Sequence, residues 1–576
     1  MRSLPLTSQN VFVGLEIALT NLFIGELFGL TAVHAKRGRF GALRWLTLVA
    51  VAGLTLDMSG AFLNHLRSHD SLNVASAAIV MVLRLLPLAP LTVKSRWLPI
   101  VAGALACVGA GLGGDAFARA TSEQTVLTPC HVANVAIEIR CGTFLVYEDR
   151  ARGAGRRIPL LIRVVPAATE HPAPEPLVVV SPGGPGLTNS ELVALGVARA
   201  WREDRDVVFV DLRGTSGPSR LDCPPSGSVE HPGGYLDGLF DIDRIDRCRR
   251  ELESKADLRF YTTRAVVDDL HDVLTSLGYA RVNLWGASGG TREVLEFIRR
   301  HPTSVRSAIV EGVVPVTFKN PLPHAKAAQV ALDSLFAQCA RDGACASAFP
   351  RLRDEFYAVL DSLSVRARHV AMPVDMGGVD STVVITRDAF TEGVRLLSYN
   401  AQTERSLPFV VHHAATGDYA PFISAAITRN RQTRTAIRLG FLLSQTCTED
   451  VPRITDVEVA RETNNTYLGD HRVRDQQAAC AHWTRGTVAT SDFTPVRSNV
   501  PVFLLSGTID PVAPSAFAAD AARYLASSIR VIAPGGHVPN GPCIDAMERQ
   551  FLAHARPSDV DTSCVEQMTL PAFKTR

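Results

Sequence analysis

The sequence lacks a surplus of charge of either sign, and it also lacks internal repeats, low-complexity tracts and any Cys-x-x-Cys pair. Its 59 Lys and Arg residues nearly balance its 57 Asp and Glu residues, so the formal net charge is only +2 over 576 residues. This balance gives no strong field for nucleic acid or for acidic substrates, and a peptide or small-molecule partner fits better. The missing Cys-x-x-Cys spacing argues against a structural zinc site.

The chain is too long for one hydrophobic core, because single cores stop growing near roughly 250 to 300 residues. Apolar residues are concentrated at the start, in stretches at 11–33, 46–63, 74–93 and 98–112. Each stretch approaches the roughly 20 residues that a membrane-spanning helix needs, although the fourth is short. We expect residues 1–120 to be an apolar membrane or signal region.

Two interpretations of this region stay open. In the first, four helices span the membrane, and the basic residues cluster in two inside loops: Lys36, Arg37, Arg39 and Arg44 in one, Lys94 and Arg96 in the other. That asymmetry follows the positive-inside rule and places the rest of the chain outside the cytoplasm. The first interpretation also implies membrane attachment.

In the second interpretation, Met81 is the true start and begins a signal peptide. Its basic segment precedes an apolar stretch at 98–112, and Ala118-Arg119-Ala120 resembles a small-x-small cleavage site. We prefer this interpretation, because charges such as Glu16 and Arg84 inside the apolar stretches are costly in lipid. Both interpretations export the chain to the periplasm or the extracellular medium.

The cysteines agree with export. Apart from Cys107, ten cysteines fall along the chain as five pairs of close neighbours: Cys130 and Cys141, Cys223 and Cys248, Cys339 and Cys345, Cys447 and Cys480, Cys543 and Cys564. An even number of cysteines in an exported chain favours disulfides, although the sequence alone does not fix their connectivity. We expect neighbours to pair; the alternative is ten buried free thiols.

Beyond residue 120, short β-branched runs alternate with longer helical stretches, which is typical of a mostly parallel sheet covered by helices. The expected core strands are continuous apolar runs, as in strands buried on both faces: 177–180, 207–210, 282–285, 308–310, 502–505 and 529–532. An antiparallel hairpin is expected at 143–147 and 160–165. We predict an α/β core at 121–320 and 496–576, interrupted by a helical cap at 321–495.

The segment Gly286-Ala287-Ser288-Gly289-Gly290 has the G-x-S-x-G pattern and stands between a predicted strand and a predicted helix. A sharp strand-to-helix turn of this kind exposes the serine hydroxyl, and small neighbours permit the strained backbone. The sequence therefore predicts Ser288 as a nucleophile.

A serine nucleophile needs a base and an acid, which follow in the chain order Ser, Asp, His in folds of this type. Asp510 follows the predicted strand 502–505, and His537 lies in a glycine-rich loop after the last predicted strand. The alternatives are a turn aspartate and a surface histidine. Acyl transfer also needs two N–H donors for the oxyanion, and we expect them from Gly184, in the Pro182–Gly186 run, and from Gly289.

These motifs resemble one known family. The segments that carry the resemblance are Gly183-Gly184-Pro185-Gly186, Asp211-x-Arg213-Gly214-Thr215, Gly286-x-Ser288-x-Gly290, Gly507-x-x-Asp510-Pro511, Gly536-His537, Cys447-Thr448-Glu449-Asp450 and Cys480-x-x-Trp483. The combination resembles the exported tripeptidyl aminopeptidase-like and proline iminopeptidase-like α/β-hydrolases, a group of serine peptidases. Ser181-Pro182 and Gly289 depart from the pattern of the prolyl relatives, so the specificity is expected to differ.

The resemblance implies an α/β-hydrolase fold with an inserted helical cap and an aminopeptidase that forms an acyl-enzyme on Ser288. It requires no metal and no organic cofactor. An exopeptidase must bind the substrate ammonium, and burying that cation needs a carboxylate; we expect Glu311 and Glu449 to provide it. A carboxylesterase and a non-catalytic binding protein of the same fold are the alternative functions.

Overall fold

The computed structural model describes residues 125–576, with the exception of residue 199. The predictions of membrane spans or of a signal peptide, both in residues 1–120, lie outside the described residues. In the part of the chain that is described, no helix is both long and apolar enough to cross a membrane.

One sheet of nine strands organises the described chain, and a separate hairpin of two strands accompanies it. The strands are β1 (Thr128–Cys130), β2 (Ile139–Tyr147), β3 (Arg157–Val165), β4 (Leu177–Ser181), β5 (Val207–Val210), β6 (Val282–Ala287), β7 (Val305–Glu311), β8 (Arg368–Ala371), β9 (Thr382–Ile385), β10 (Val502–Gly507) and β11 (Ser528–Ala533). The order in the large sheet is β1-β2-β3-β5-β4-β6-β7-β10-β11, and β8 pairs with β9.

The sheet is mostly parallel. The pairs β4 with β5, β4 with β6, β6 with β7, β7 with β10 and β10 with β11 are parallel. The entry strands β1 to β3 pair antiparallel, as does β3 with β5. This arrangement confirms the six predicted core strands and the predicted entry hairpin.

The helices of the described chain alternate with the parallel strands along the sequence. They are α1 (Val193–Ala198), α2 (Ile242–Glu253), α3 (Thr263–Ser276), α4 (Gly290–Arg300), α5 (His324–Arg341), α6 (Gly343–Ala348), α7 (Leu352–Val365), α8 (Arg387–Leu397), α9 (Ala401–Glu404), α10 (Leu407–Ala415), α11 (Ala420–Ala436), α12 (Leu439–Glu449), α13 (Asp456–Thr463), α14 (His471–Ala481), α15 (Ser515–Ala522) and α16 (Pro542–His554). Helices α3 and α4 pack on one face of the large sheet, and α16 packs on the other.

The alternation of side chains along each strand separates two apolar cores. On β7, Ala308 and Val310 join a core with α3 and α4, whereas Ile309 points to the opposite face and packs with residues of α16. Every one of these three side chains is fully buried. Burial on both faces explains why the strands are continuous apolar runs in the sequence.

The long segment between β7 and β10 adds no strand to the large sheet. Helices α5 to α8, α10 and α11 and the turn before α14 share a separate apolar core around Phe356, Phe390 and Phe422. In contrast, Phe441 of α12 and Trp483 belong to the same core as the sheet. The division of the chain into domains stays a proposal, and the packing favours a cap whose helices end with α11, since α12 packs with the sheet.

All five pairs of neighbouring cysteines form disulfides: Cys130–Cys141, Cys223–Cys248, Cys339–Cys345, Cys447–Cys480 and Cys543–Cys564. The predicted connectivity is confirmed. Disulfides persist in oxidising compartments, so five of them are typical of an exported protein.

Candidate active site

Ser288 lies at the sharp turn between β6 and α4, where the sequence predicts it. Its backbone has a φ of 52°, in the left-handed region that a non-glycine residue rarely adopts. The turn requires glycine at Gly290, because a Cβ atom there would lie 2.2 Å from the carbonyl oxygen of Ser181. The strained turn is held by a hydrogen bond of 2.8 Å that Ser288 N donates to the carbonyl oxygen of Glu311.

Ser288, His537 and Asp510 form a continuous chain of hydrogen bonds. Ser288 Oγ lies 2.7 Å from His537 Nε2, and His537 Nδ1 lies 2.8 Å from Asp510 Oδ2. The other carboxylate oxygen of Asp510 accepts bonds of 2.8 and 2.9 Å from the backbone N–H groups of Val512 and Ala513. The carboxylate is therefore fixed on both oxygens, and it orients the imidazole toward the serine hydroxyl.

The glycine-rich loop after β4 lies directly against this serine. Gly183 has a φ of +118°, and a Cβ atom at this position would lie 2.7 Å from Ser288 Cβ. Gly184 and Gly289, the two expected oxyanion donors, both line the same cavity as Ser288 and His537. The loop and the elbow thus place two backbone segments beside the serine, as an oxyanion hole requires.

This cavity has a volume of about 560 Å³. The sheet side contributes Ser288, Gly289 and His537, and the opposite walls come from α2, α8, α11 and α14 together with the loop at 236–240. A volume in this range suits a short peptide or another small molecule.

Tyr399, which the sequence did not single out, holds the histidine loop. Its backbone carbonyl accepts a hydrogen bond of 2.9 Å from His537 N. Its ring meets the imidazole edge-on, with 5.3 Å between ring centroids. No local motif around Tyr399 predicts this role, because the contact depends on how the segment after α8 packs over the sheet.

The structure does not bring Glu311 to the cavity. Its side chain points to the same face of the sheet as Ile309, and its Oε1 accepts a hydrogen bond of 3.0 Å from Trp285 Nε1. The expectation that it binds a substrate amine is therefore corrected: the alternation along β7 turns this carboxylate away from Ser288.

Glu449 is likewise absent from the cavity wall, and its carboxylate is already engaged. Its two oxygens accept bonds of 2.6 Å from Thr263 N and Thr263 Oγ1, at the first turn of α3. Burial raises the pKa of Glu449 to about 7, although Arg292 opposes the shift. The neighbouring Asp450 does line the cavity and forms an ion pair of 2.8 Å with Arg292. Glu449 supports α3 and is not placed to bind an amine.

Another group of acids does line the cavity, namely Asp388 and Glu392 on α8 and Asp475 on α14. Glu392 is paired with Arg395 at 2.8 Å and with Arg472 at 3.5 Å. Asp475 has no ion pair within 4 Å among the described residues. Burial raises the pKa of Asp475, and the negative charges of Asp388 and Glu392 raise it further. The charge of His471 opposes this rise.

Within residues 125–576, residue 199 excluded, no group of three or more His, Cys, Asp or Glu side chains is arranged to hold a metal ion.

A family model described as "alpha/beta hydrolase fold" matches residues 176–344, and one described as "TAP-like protein" matches residues 465–564. The chain is 26% identical over 201 residues to the tripeptidyl aminopeptidase of Streptomyces lividans. This match covers 31% of this chain and 36% of that protein. It is 25% identical over 227 residues to a putative hydrolase, YuaR, of Escherichia coli K12. This match covers 36% of this chain and 44% of that protein. The matches span less than half the length of both curated relatives.

Among solved structures, the proline iminopeptidase of Mycobacterium smegmatis aligns at 15% identity, with 68% of this chain and 90% of that chain covered. The TM-score is 0.28. An esterase from Exiguobacterium antarcticum aligns at 13% identity, with 66% and 89% covered and a TM-score of 0.27. Scores this low add no argument to the fold described above.

The nine-stranded sheet, the serine elbow and the match over residues 176–344 define the chain as an α/β-hydrolase. The second family match adds that the last part of the chain, residues 465–564, is similar to TAP-like proteins.

Proposed function

We propose that the chain is a serine hydrolase that cleaves peptide bonds and releases short units from a free N-terminus. One observation carries the proposal: Ser288 Oγ, His537 and Asp510 are joined by hydrogen bonds of 2.7 and 2.8 Å at the wall of a cavity. Isolated serines are poor nucleophiles, and this arrangement is the one that activates them.

In the proposed mechanism, His537 Nε2 takes the proton of Ser288 Oγ while that oxygen attacks the substrate carbonyl carbon. Asp510 keeps the imidazole in the required tautomer and stabilises the imidazolium that forms. The backbone N–H groups of Gly184 and Gly289 donate to the oxyanion. His537 then protonates the leaving amine, and water releases the acyl group from Ser288 by the same steps.

Specificity for a free N-terminus needs a carboxylate that reaches the substrate ammonium. With Glu311 and Glu449 turned away from the cavity, we assign this role to Asp475. It lines the cavity and lacks an ion pair within the described chain, whereas Asp388 and Glu392 are already paired with basic side chains. Asp475 is therefore the acid of this group that is left to bind a substrate cation.

The test compares a short peptide with its N-acetylated form and with a short-chain ester of similar size. Acetylation removes the ammonium, so it should abolish cleavage of the peptide. Asp475→Asn should lower kcat/KM for the free peptide by about tenfold or more relative to the ester, as expected for the loss of a charge-assisted hydrogen bond. The matched control is Asp470→Asn, because Asp470 is an exposed acid at the N-terminal end of α14 that pairs with Arg474.

Glu311→Gln and Glu449→Gln should leave the ratio between peptide and ester unchanged, because neither carboxylate lines the cavity. Equal cleavage of free and acetylated peptides would refute the aminopeptidase and favour an endopeptidase. Turnover of esters without any turnover of peptides would favour a carboxylesterase.

A further inference from the structure

Three arginines that line the cavity form no ion pair within the described residues, and two of them, Arg244 and Arg434, are held by one loop. Among the described residues that line the cavity are six arginines and five acids: Arg244, Arg292, Arg395, Arg429, Arg434, Arg472, Asp237, Asp388, Glu392, Asp450 and Asp475. Arg292 pairs with Asp450, and Arg395 and Arg472 pair with Glu392. Arg244, Arg429 and Arg434 have no carboxylate oxygen within 4 Å in the described part of the chain. Arg429 donates instead to the carbonyl oxygen of Leu396 and lies over the Tyr399 ring.

Neutral carbonyl groups of one loop hold the guanidinium groups of Arg244 and Arg434. Arg434, on α11, donates from Nη2 to the carbonyl oxygen of Asp237 at 2.6 Å. Arg244, on α2, donates from Nη2 to the carbonyl oxygen of Leu239 at 2.8 Å. Because these two carbonyls are two residues apart, the loop brings the two cations close together at the cavity wall. Carbonyl oxygens orient the guanidinium groups without neutralising them.

The electrostatics of the pair agree with this proximity. Burial lowers the pKa of Arg434 to about 10, and the positive charge of Arg244 adds to the shift. Burial also lowers the pKa of Arg244. Nearby carboxylates oppose these shifts, Glu392 and Asp237 at Arg434 and Asp241 and Asp237 at Arg244. None of these carboxylates lies within 4 Å of the two guanidinium groups, so a ligand carboxylate in direct contact would offset more of the cost of the two positive charges.

Both arginines also have unused hydrogen-bonding capacity. Arg434 Nη1 and Arg244 Nε are buried and have no hydrogen-bond partner among the described residues. Buried donors of this kind are normally satisfied, and those that are not call for an explanation. The carboxylate of Asp237 lies on the same loop but forms no hydrogen bond with either guanidinium group, although the charges of Arg434 and Arg244 oppose the burial that raises its pKa.

We propose that Arg244 and Arg434 form an anion subsite that binds a carboxylate of the substrate, either its C-terminal carboxylate or an acidic side chain. The proposal rests on the proposed hydrolase function and adds a preference to it: the substrate carries a negative charge in addition to the group that Ser288 attacks. Guanidinium groups match the planar geometry of a carboxylate, so two of them from separate helices form a specific receptor.

The first experiment measures the ratio of kcat/KM between a tripeptide with a free C-terminal carboxylate and the same tripeptide with a C-terminal amide. A second pair of C-terminal amides differs only by Glu or Gln as the last side chain, which separates the two sources of the carboxylate. In at least one pair the wild type should prefer the anionic member by about tenfold or more. Arg244→Gln and Arg434→Gln should each bring that ratio close to one.

Two further variants separate binding from a structural role. Arg434→Lys keeps the charge and should retain part of the preference. Arg431→Gln is the matched control, since Arg431 lies on α11, is exposed and does not line the cavity; it should retain the full preference. If the arginines only anchor the loop, both members of each pair should lose turnover equally and the ratio should not move. That result, or a wild-type ratio near one in both pairs, overturns the proposal.

A second readout does not depend on peptidase activity. Glutarate and inorganic sulfate are added as competitors during hydrolysis of a neutral short-chain ester. Inhibition by glutarate that weakens about tenfold in Arg434→Gln but not in Arg431→Gln supports the subsite even if no peptide is cleaved. Stronger inhibition by sulfate than by glutarate, or inhibition that is identical in all variants, contradicts a carboxylate subsite.

Discussion

The backbone carbonyl of Tyr399 accepts a hydrogen bond of 2.9 Å from His537 N, and the tyrosine ring lies edge-on to the imidazole at 5.3 Å. Tyr399 follows α8, in the helical segment between β7 and β10, whereas His537 follows β11 of the sheet. This contact links the histidine to a segment that has its own apolar core. The position of the imidazole therefore depends on the packing of the cap as well as on the sheet.

Tyr399→Ala should lower kcat on any substrate by about 10-fold to 100-fold, because the imidazole loses the ring that limits its movement. Tyr399→Phe keeps the ring and removes only the hydroxyl, which accepts a bond of 2.8 Å from Arg395 Nη1. It should keep most of the activity. Ester hydrolysis and thermal unfolding are measured in parallel, and a loss of kcat that is the same in both variants would contradict a positioning role for the ring.

The sequence predicts the sheet well because strands that are buried on both faces are continuous apolar runs. It also predicts the elbow serine, the aspartate and the histidine, since each follows a predicted strand in the expected chain order, and the structure joins them by hydrogen bonds. The prediction that Glu311 reaches the cavity was wrong, because alternation along a strand shows which residues share a face but not which face meets the cavity. Tyr399 and Arg434 had no local signal, since their partners come from distant segments.

Ser288→Ala should abolish labelling by a fluorophosphonate and lower kcat by about 10³-fold or more. A matched control exists in Ser304, whose Oγ lies 3.4 Å from His271 Nε2 but which does not line the cavity. Ser304→Ala should keep full labelling, because a serine beside a histidine is not reactive without oxyanion donors. Labelling that survives in Ser288→Ala would rule out the assigned nucleophile.

Asp450→Asn should lower the free energy of unfolding by about 3 kcal/mol, because it leaves the buried Arg292 without its closest carboxylate. Asp450 receives bonds of 2.8 and 3.1 Å from Arg292 and one of 3.1 Å from Arg453. The control is Asp456→Asn, which breaks a surface ion pair of an aspartate that is 83% exposed. That change should cost less than about 1 kcal/mol. Denaturant unfolding measures both, and equal losses would contradict the prediction.

Replacing Cys447 and Cys480 by serine should destabilise the protein by about 2 to 4 kcal/mol, since the bridge closes a loop between α12 and α14. Both cysteines are buried in the core that α12 shares with the sheet, so loss of the bridge should loosen this side of the cavity. Thermal unfolding of the oxidised protein provides the measurement. A double variant as stable as the wild type would mean that packing alone fixes the two helices.

Glu293 is a buried carboxyl group on the elbow helix α4, and burial raises its pKa to about 8 from an ordinary value of 4.5. Hydrogen bonds with Gln445 and Ser181 oppose the shift, and the nearby Glu449 adds to it. Between these two pH values the unfolded chain has released this proton and the native protein keeps it. The unfolded state therefore binds fewer protons, and this group makes the native state less stable as the pH rises.

Glu293→Gln has no proton to release, so it should remove this part of the pH dependence. The difference in unfolding free energy between Glu293→Gln and the wild type should move in favour of the variant from pH 5 to pH 8, with a slope of up to about 1.4 kcal/mol per pH unit. Urea unfolding with the disulfides intact measures it. The control is Glu251→Gln, because Glu251 is 66% exposed on α2. Parallel pH profiles for Glu293→Gln and the wild type would contradict the prediction. They would show that the Glu293 carboxyl group is ionised in the native state, which the contacts with Ser181 and Gln445 do not explain.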